Sequence, residues 1–341
     1  IAMSEYKGIK GFQVQTRTSD PSEGIAGDFY YNSTEGQFKT VGTGGAPIGT
    51  WASGANLNVA KYGNTGSGDG NNAITTGGYA DSGVPAGYKD LTEQYNGTAW
   101  TEVNELNDAR GFFGGSNSSP YTASVVFGGA SPPALAKTEV WNGSTWTQAN
   151  DLNTARINNG GFGATSTNAL CCGGNNPGAL DKVESWDGTS WTEKSEFSTT
   201  RSEMPVGAGT NTAGIIYGGQ YPPGVNVTAN AEKWDGSSWT ETSNLNVAKG
   251  YHGGGGSQDS ALAYGGRTSG TGQVATNESW DGTSWTEVAD LATARYQGMG
   301  VSTTTNTSAM LTGGAIQSSP LSLLTETWEA ATFEIKSVTT S

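Results

Sequence analysis

A tryptophan returns at Trp51, Trp100, Trp146, Trp191, Trp239 and Trp285, at spacings of 49, 46, 45, 48 and 46 residues, and the same order of residues recurs around every copy. One unit reads Glu, any residue, an aromatic, Asp/Asn-Gly, two small residues and Trp-Thr. A Leu-Asn-x-Ala-Arg run, a Gly-rich stretch, an apolar stretch and Gly-Gly follow. A period of this length means stacked copies of one supersecondary unit, because no single copy can bury its apolar face alone.

Each copy holds four strands. In the third unit, Glu184-Ser185-Trp186 and Ser190-Trp191-Thr192-Glu193 flank Asp187-Gly188-Thr189. Asp-Gly between alternating runs is a hairpin signal, and the expected connection is a type I′ turn, which needs positive φ. The Gly-rich stretch at 160–164 and apolar stretches such as 213–217 supply the two inner strands. The apolar stretches end at Gly77-Gly78, Gly128-Gly129, Gly173-Gly174, Gly218-Gly219, Gly265-Gly266 and Gly313-Gly314, so the expected fold is all-β: a six-bladed propeller with four antiparallel strands per blade. Glycine runs such as 253–256 suit inner strands crowded at an axis, which removes the need for a phosphate-cradling loop.

This pattern resembles the kelch repeat over roughly residues 51–330. The Gly pair closes the second strand, an aromatic stands in the third (Tyr95, Trp141, Trp186, Trp234, Trp280, Trp328), and a Trp stands in the fourth. The domain reading is an attachment or oligomerisation segment with a β-hairpin at 1–45, the propeller at 46–331, and a C-terminal strand or tail at 332–341. A propeller hides its first and last edges by completing one blade from both chain ends. Trp51 has the same spacing to Lys61 that Trp100 has to Arg110, so its strand is expected to close the ring; Phe333, five residues after Trp328, competes for the same slot.

Composition narrows function. Apolar residues make up 34% and charged residues 14%, yet 11 Trp, 13 Tyr and 9 Phe demand burial, which excludes a disordered chain. A formal charge of −14 repels a phosphate backbone, so nucleic acid is not an expected partner. No apolar run is long enough to span a bilayer as a helix, and the first ten residues lack the apolar core of a signal peptide. Asn32-Ser33-Thr34 and similar sequons then follow from an Asn/Thr-rich composition.

A basic residue stands ten positions after every fourth-strand Trp: Lys61, Arg110, Arg156, Arg201, Lys249 and Arg295. Two residues before each third-strand aromatic stands Glu93, Glu139, Glu184, Glu232, Glu278 or Glu326. The basic ring has an anion-binding reading, but charges near a core are normally partnered, and structural Arg/Lys–Glu pairing is the expectation. His252 matches Phe113, Asn159 and Met204 of other units and reads as a packing or channel-lining residue. Cys171 and Cys172 fall in an apolar strand and read as core. Asp69-Gly70-Asn71 lacks the spaced ligands of a calcium loop. The propeller of galactose oxidase, which this chain resembles in its repeats, would imply a copper site with two histidines; with one His here, no cofactor and no metal are expected.

Length variation marks a face. From the Gly pair to the next Glu the distances are 15, 10, 10, 13, 12 and 12, whereas Trp to the basic residue is always ten. The loops between second and third strands therefore vary, on the same side as the connections from fourth to first strands. They carry Tyr79, Tyr88, Pro132, Pro133, Pro177, Tyr221, Pro222, Pro223, Pro320 and Leu321, the candidate ligand or partner contacts.

Ahead of the repeats, Lys7-Gly8-Ile9-Lys10-Gly11-Phe12 and a Tyr30-Tyr31-Asn32-Ser33-Thr34 hairpin precede Trp51-Ala52-Ser53-Gly54. This order resembles structural proteins of tailed bacteriophages, particularly marine ones, over nearly the whole chain. The resemblance implies a virion protein on the particle exterior, held to other virion proteins or sister chains by its first 45 or so residues. A tail-fibre or host-recognition appendage binding a cell-surface glycan or protein is the expected role, with capsid decoration or a neck component as the alternative. An enzyme on surface glycans would want paired carboxylates in a cleft, whereas these Glu residues occupy equivalent strand positions. An intracellular kelch adaptor would carry a partner-recruiting domain ahead of its repeats.

Overall fold

The computed structural model describes residues 15–19, 29–44, 49–81, 87–202, 206–221, 226–270, 272–303, 305–316, 321–330 and 332–337. The chain forms two compact units, Thr50–Ala330 and Ile1–Gly49 together with Ala331–Ser341. No helix occurs among the described residues.

The larger unit is a kelch-like six-bladed propeller. Blade one pairs Thr65–Gly68, Ala73–Thr76, Thr92–Tyr95 and Trp100–Val103 in that order, all antiparallel. Blades two to five repeat the plan from first strands Gly114–Gly115, Gly160–Thr165, Val206–Gly209 and Gly253–Ser257. Blade six takes Met299–Ser302, Ser308–Thr312 and Thr325–Glu329 from the end of the repeats and Thr50–Ser53 from their beginning, with Trp51 opposite Trp328. The first strands touch their neighbours all the way round, blade six against blade one. The strand carrying Phe333, Thr332–Ser337, lies in the smaller unit instead, where it pairs with Gln37–Gly44.

Why the Gly pairs recur is visible in the backbone. The first glycine of each pair has φ between +60° and +73° and the second between +94° and +103°. The amide of the second donates to the next blade's basic-residue carbonyl, as in Gly78 to Arg110 (2.8 Å) and, closing the ring, Gly314 to Lys61 (2.9 Å). A Cβ on Gly218 would stand 2.6 Å from the Lys249 carbonyl oxygen. Both the dihedral and the approach exclude a side chain.

The outer hairpins depart from the type I′ expectation. Trp186 pairs directly with Trp191, leaving a four-residue loop in which only Gly188, at φ +92°, is left-handed. A type I′ turn needs both central residues there; here Asp187 Oδ1 accepts from the amides of Thr189 and Ser190, both at 2.8 Å, and replaces backbone strain with side-chain bonds. Those donors hold the Asp187 carboxyl below its usual range, and the same geometry brings Asp281 down to about 2. Between blades, fourth-strand indoles reach back to the preceding blade: Trp146 Nε1 to Thr92 Oγ1 at 3.1 Å and Trp191 Nε1 to Thr138 Oγ1 at 2.9 Å.

The smaller unit holds a four-stranded sheet in the order Gln15–Arg17, Phe29–Asn32, Gln37–Gly44, Thr332–Ser337, the first pair parallel. Tyr30 is buried on one side; Phe29 and Phe38 are exposed and stacked, centroids 5.4 Å apart.

Candidate functional site

Three structures lie along the segment that enters each blade from the previous one. The first is a repeated clamp. Lys61–Glu93 (3.2 Å), Arg110–Glu139 (2.8 Å), Arg156–Glu184, Arg201–Glu232 (2.5 Å), Lys249–Glu278 (3.2 Å) and Arg295–Glu326 are ion pairs between fully buried cations and nearly or fully buried carboxylates. The other carboxylate oxygen accepts an amide of the incoming segment, as Glu139 does from Asn107 (2.8 Å) and Glu326 from Ala292 (2.7 Å). Arg110 also donates to the Lys137 carbonyl at 2.8 Å. Burial lowers the pKa of Lys61, Arg110, Arg201, Lys249 and Arg295, and the partner glutamate opposes the shift. Fully buried and each paired with a glutamate, these cations have no surface on which to bind an external anion.

The second is a ring around the axis. Two residues after the basic residue, in the five blades where that position is described, the backbone is left-handed: Gly63 (φ +63°), Phe112 (+58°), Asn158 (+51°), Tyr251 (+54°) and Gln297 (+58°). Consecutive members are joined by backbone bonds, Phe112 N to Gly63 O (2.7 Å), Asn158 N to Phe112 O (2.8 Å), Gln297 N to Tyr251 O (2.9 Å) and Gly63 N to Gln297 O (2.8 Å). These bonds over-determine a conformation that costs a bulky residue roughly 1–2 kcal/mol. Below the ring, Asn64, Phe113, Asn159 and His252 help line an axial cavity of about 50 Å³. That volume suits ordered water rather than an organic ligand. Asn117 also lines it, donating from Nδ2 to the carbonyls of Gly207 and Gly254, both at 3.0 Å, and so bridging blade two to blades four and five. His252 is buried, and burial together with Lys249 pushes its pKa well below the ordinary imidazole value, so it stays neutral.

The third is an aromatic basin of about 420 Å³, lined by Tyr62, Asp81, Phe112, Tyr251, Arg267, Tyr296, Gln297, Ala315 and Leu321. Its rings brace one another edge to face: Tyr62 against Phe112 (5.4 Å) and Tyr79 (5.7 Å), Tyr79 against Tyr88 (5.5 Å), Tyr251 against Tyr296 (6.2 Å). The Arg267 guanidinium lies 5.8 Å from the Tyr296 ring centroid. Of these side chains Ala315 is buried, Asp81 is exposed and the rest are half-buried. Burial raises the Tyr62 and Tyr88 phenol pKa values, so both remain protonated donors at neutral pH.

Of the sequence candidates, Leu321 lines the basin, and Tyr79 and Tyr88 back it. Pro132, Pro133 and Pro177 are exposed on blades two and three, and Tyr221 is 38% exposed on blade four; none lines the basin. Pro222, Pro223 and Pro320, like Met204, lie outside the described residues. Reading loop lengths missed Tyr62, Phe112, Tyr251 and Tyr296. Their signal was in the repeat: the one or two positions after the basic residue are aromatic in units one, two, five and six, but Ile157-Asn158 and Ser202-Glu203 in units three and four.

Elsewhere, Cys171 and Cys172 are buried free thiols, and burial pushes the first up to about 12. Asp69 Oδ1 accepts the amides of Asn71 (2.8 Å) and Asn72 (3.0 Å), a loop that closes on itself. Among the described residues no cluster of three or more His, Cys, Asp or Glu is placed to hold a metal.

No protein-family model and no curated protein matches the sequence. Among solved structures the chain is similar to one titled "Structure of YjhT", with a TM-score of 0.64 and 13% identity over 80% of this chain and 95% of that one. At such low identity the likeness is one of fold, and it is to a kelch-type β-propeller.

Proposed function

We propose that this chain is a non-enzymatic recognition component on the exterior of a tailed-phage particle, with the propeller turned toward the host surface and the smaller unit holding it to other virion proteins. The observation that carries this reading is the basin: side chains from several blades converge on the one face whose loops vary in length, around an opening large enough for a small ligand group. The carboxylates repeated in every blade are committed to buried ion pairs, and among the described residues the basin lining holds the single carboxylate of Asp81, which argues for binding rather than glycoside cleavage. In the smaller unit the exposed Phe29–Phe38 stack offers an apolar contact for attachment.

The test combines position and competition. An antibody to the propeller should label the tail of intact particles, and purified chain added to host cells should block adsorption in a dose-dependent way. Labelling of the capsid or neck without competition would instead favour decoration, and no labelling would remove both virion readings.

A further inference from the structure

We infer that the basin is a saccharide site for a neutral pyranose, bound with one sugar face against the rings of Tyr62, Tyr251 or Tyr296 and its hydroxyls turned toward Arg267, Asp81 and Gln297. This rests on the recognition reading above and narrows it to a ligand class.

Size is the first argument. The basin, at about 420 Å³, falls in the range that encloses small molecules and is far larger than the axial cavity below it. A protein partner held by side-chain packing needs on the order of 800 Å² from each side, of which such an opening would supply a fraction.

Chemistry is the second. A pyranose carries C–H groups on its faces and hydroxyls around its rim. Its receptor therefore needs apolar π surfaces beside hydrogen-bonding groups that both donate and accept. The lining has both: three Tyr and one Phe, with a guanidinium, a carboxylate and a carboxamide among them. Tyrosine gives contact area at small entropic cost because it has few rotatable bonds.

Charge is the third. Among the described residues of the lining, Arg267 and Asp81 are the two charged ones and cancel formally, while the whole chain carries −14, so an anionic sugar would be disfavoured at long range. A quaternary ammonium ligand suits aromatic cages, but here the guanidinium already sits against Tyr296 and would repel a second cation.

Pre-organisation is the fourth. Phe112, Tyr251 and Gln297 are held left-handed by the inter-blade hydrogen bonds, so the platform exists before a ligand arrives.

Purified full-length chain would be titrated by calorimetry with methyl glycosides of neutral hexoses and N-acetylhexosamines, with sialic acid, and with choline. Tyr296→Ala and Arg267→Met are expected to weaken neutral-sugar binding about tenfold each. Ile157→Ala, at the equivalent repeat position of blade three, should leave it unchanged. Circular dichroism and thermal melting would show that every variant is folded. Binding of sialic acid or choline in preference to neutral sugars, binding indifferent to Tyr296→Ala, or no binding of any probe would overturn the inference. The adsorption competition separates this from the wider reading: wild-type chain that blocks adsorption without binding a neutral sugar keeps recognition and removes the pyranose. Sugar binding without blocking does the reverse.

Discussion

The basic residue that enters each blade and the one or two residues after it are neighbours in the chain, yet they behave in opposite ways. Lys61, Arg110, Arg156, Arg201, Lys249 and Arg295 are fully buried and each meets a glutamate of the same blade. Immediately after them the repeat breaks, with Tyr62, Phe112, Tyr251 and Tyr296 on blades one, two, five and six, and Ile157 and Ser202 on blades three and four. A role that every blade must perform keeps its residue in every blade. A ligand that sits on one part of a face has no use for six-fold symmetry, so the positions that meet it diverge.

The sharpest way to break that comparison is to treat the clamp as dispensable. Glu184→Leu leaves the Arg156 guanidinium buried without its counter-charge and should cost about 3–5 kcal/mol in urea unfolding of the full chain. The double variant Arg156→Met with Glu184→Leu should recover part of this. It cannot recover all, because Arg156 also serves the Gly173 and Lys182 carbonyls and Glu184 the Asn153 amide. A single variant as stable as wild type would show that the repeated pair is not structural.

Asn117 blurs the comparison from the other side, since it occurs in one blade yet bridges three. Asn117→Ala would strip Gly207 O and Gly254 O of a donor in the core, at about 1–3 kcal/mol, read by the same unfolding midpoint. A loss of that size would establish that broken symmetry marks either a ligand or an axis, and that burial tells them apart.

The smallest effect is the most informative about the basin. Gln297→Gly places in blade six the residue that blade one has at Gly63, where φ is +63° against +58°. It should raise stability by at most about 1 kcal/mol by relieving left-handed strain, while weakening binding at the basin. A variant that is less stable and binds equally well would mean that Gln297 is kept for packing.

Much of the fold was legible without coordinates. The Trp period, the Gly pairs and the Asp-Gly dipeptides set blade number and strand order, because each reports a local demand: an indole to bury, a positive φ, a hairpin. The pairing of the basic ring with the glutamate ring could be anticipated because both repeat with one period. The loop candidates were less well placed, since loop length reports where insertion is tolerated rather than where side chains converge, and Pro132, Pro133 and Pro177 ended up away from the basin.

By itself, then, the sequence determined the repeat, its strands and the buried charges, all of which depend on contacts within a blade or between adjacent ones. Ring closure through Trp51 rather than Phe333, the Asn117 bridge and the convergence of Tyr62, Tyr251 and Tyr296 were decided only in three dimensions. Tyr62 and Tyr296 lie more than two hundred residues apart in the chain. Their meeting exists only because the ring closes and brings blade six against blade one.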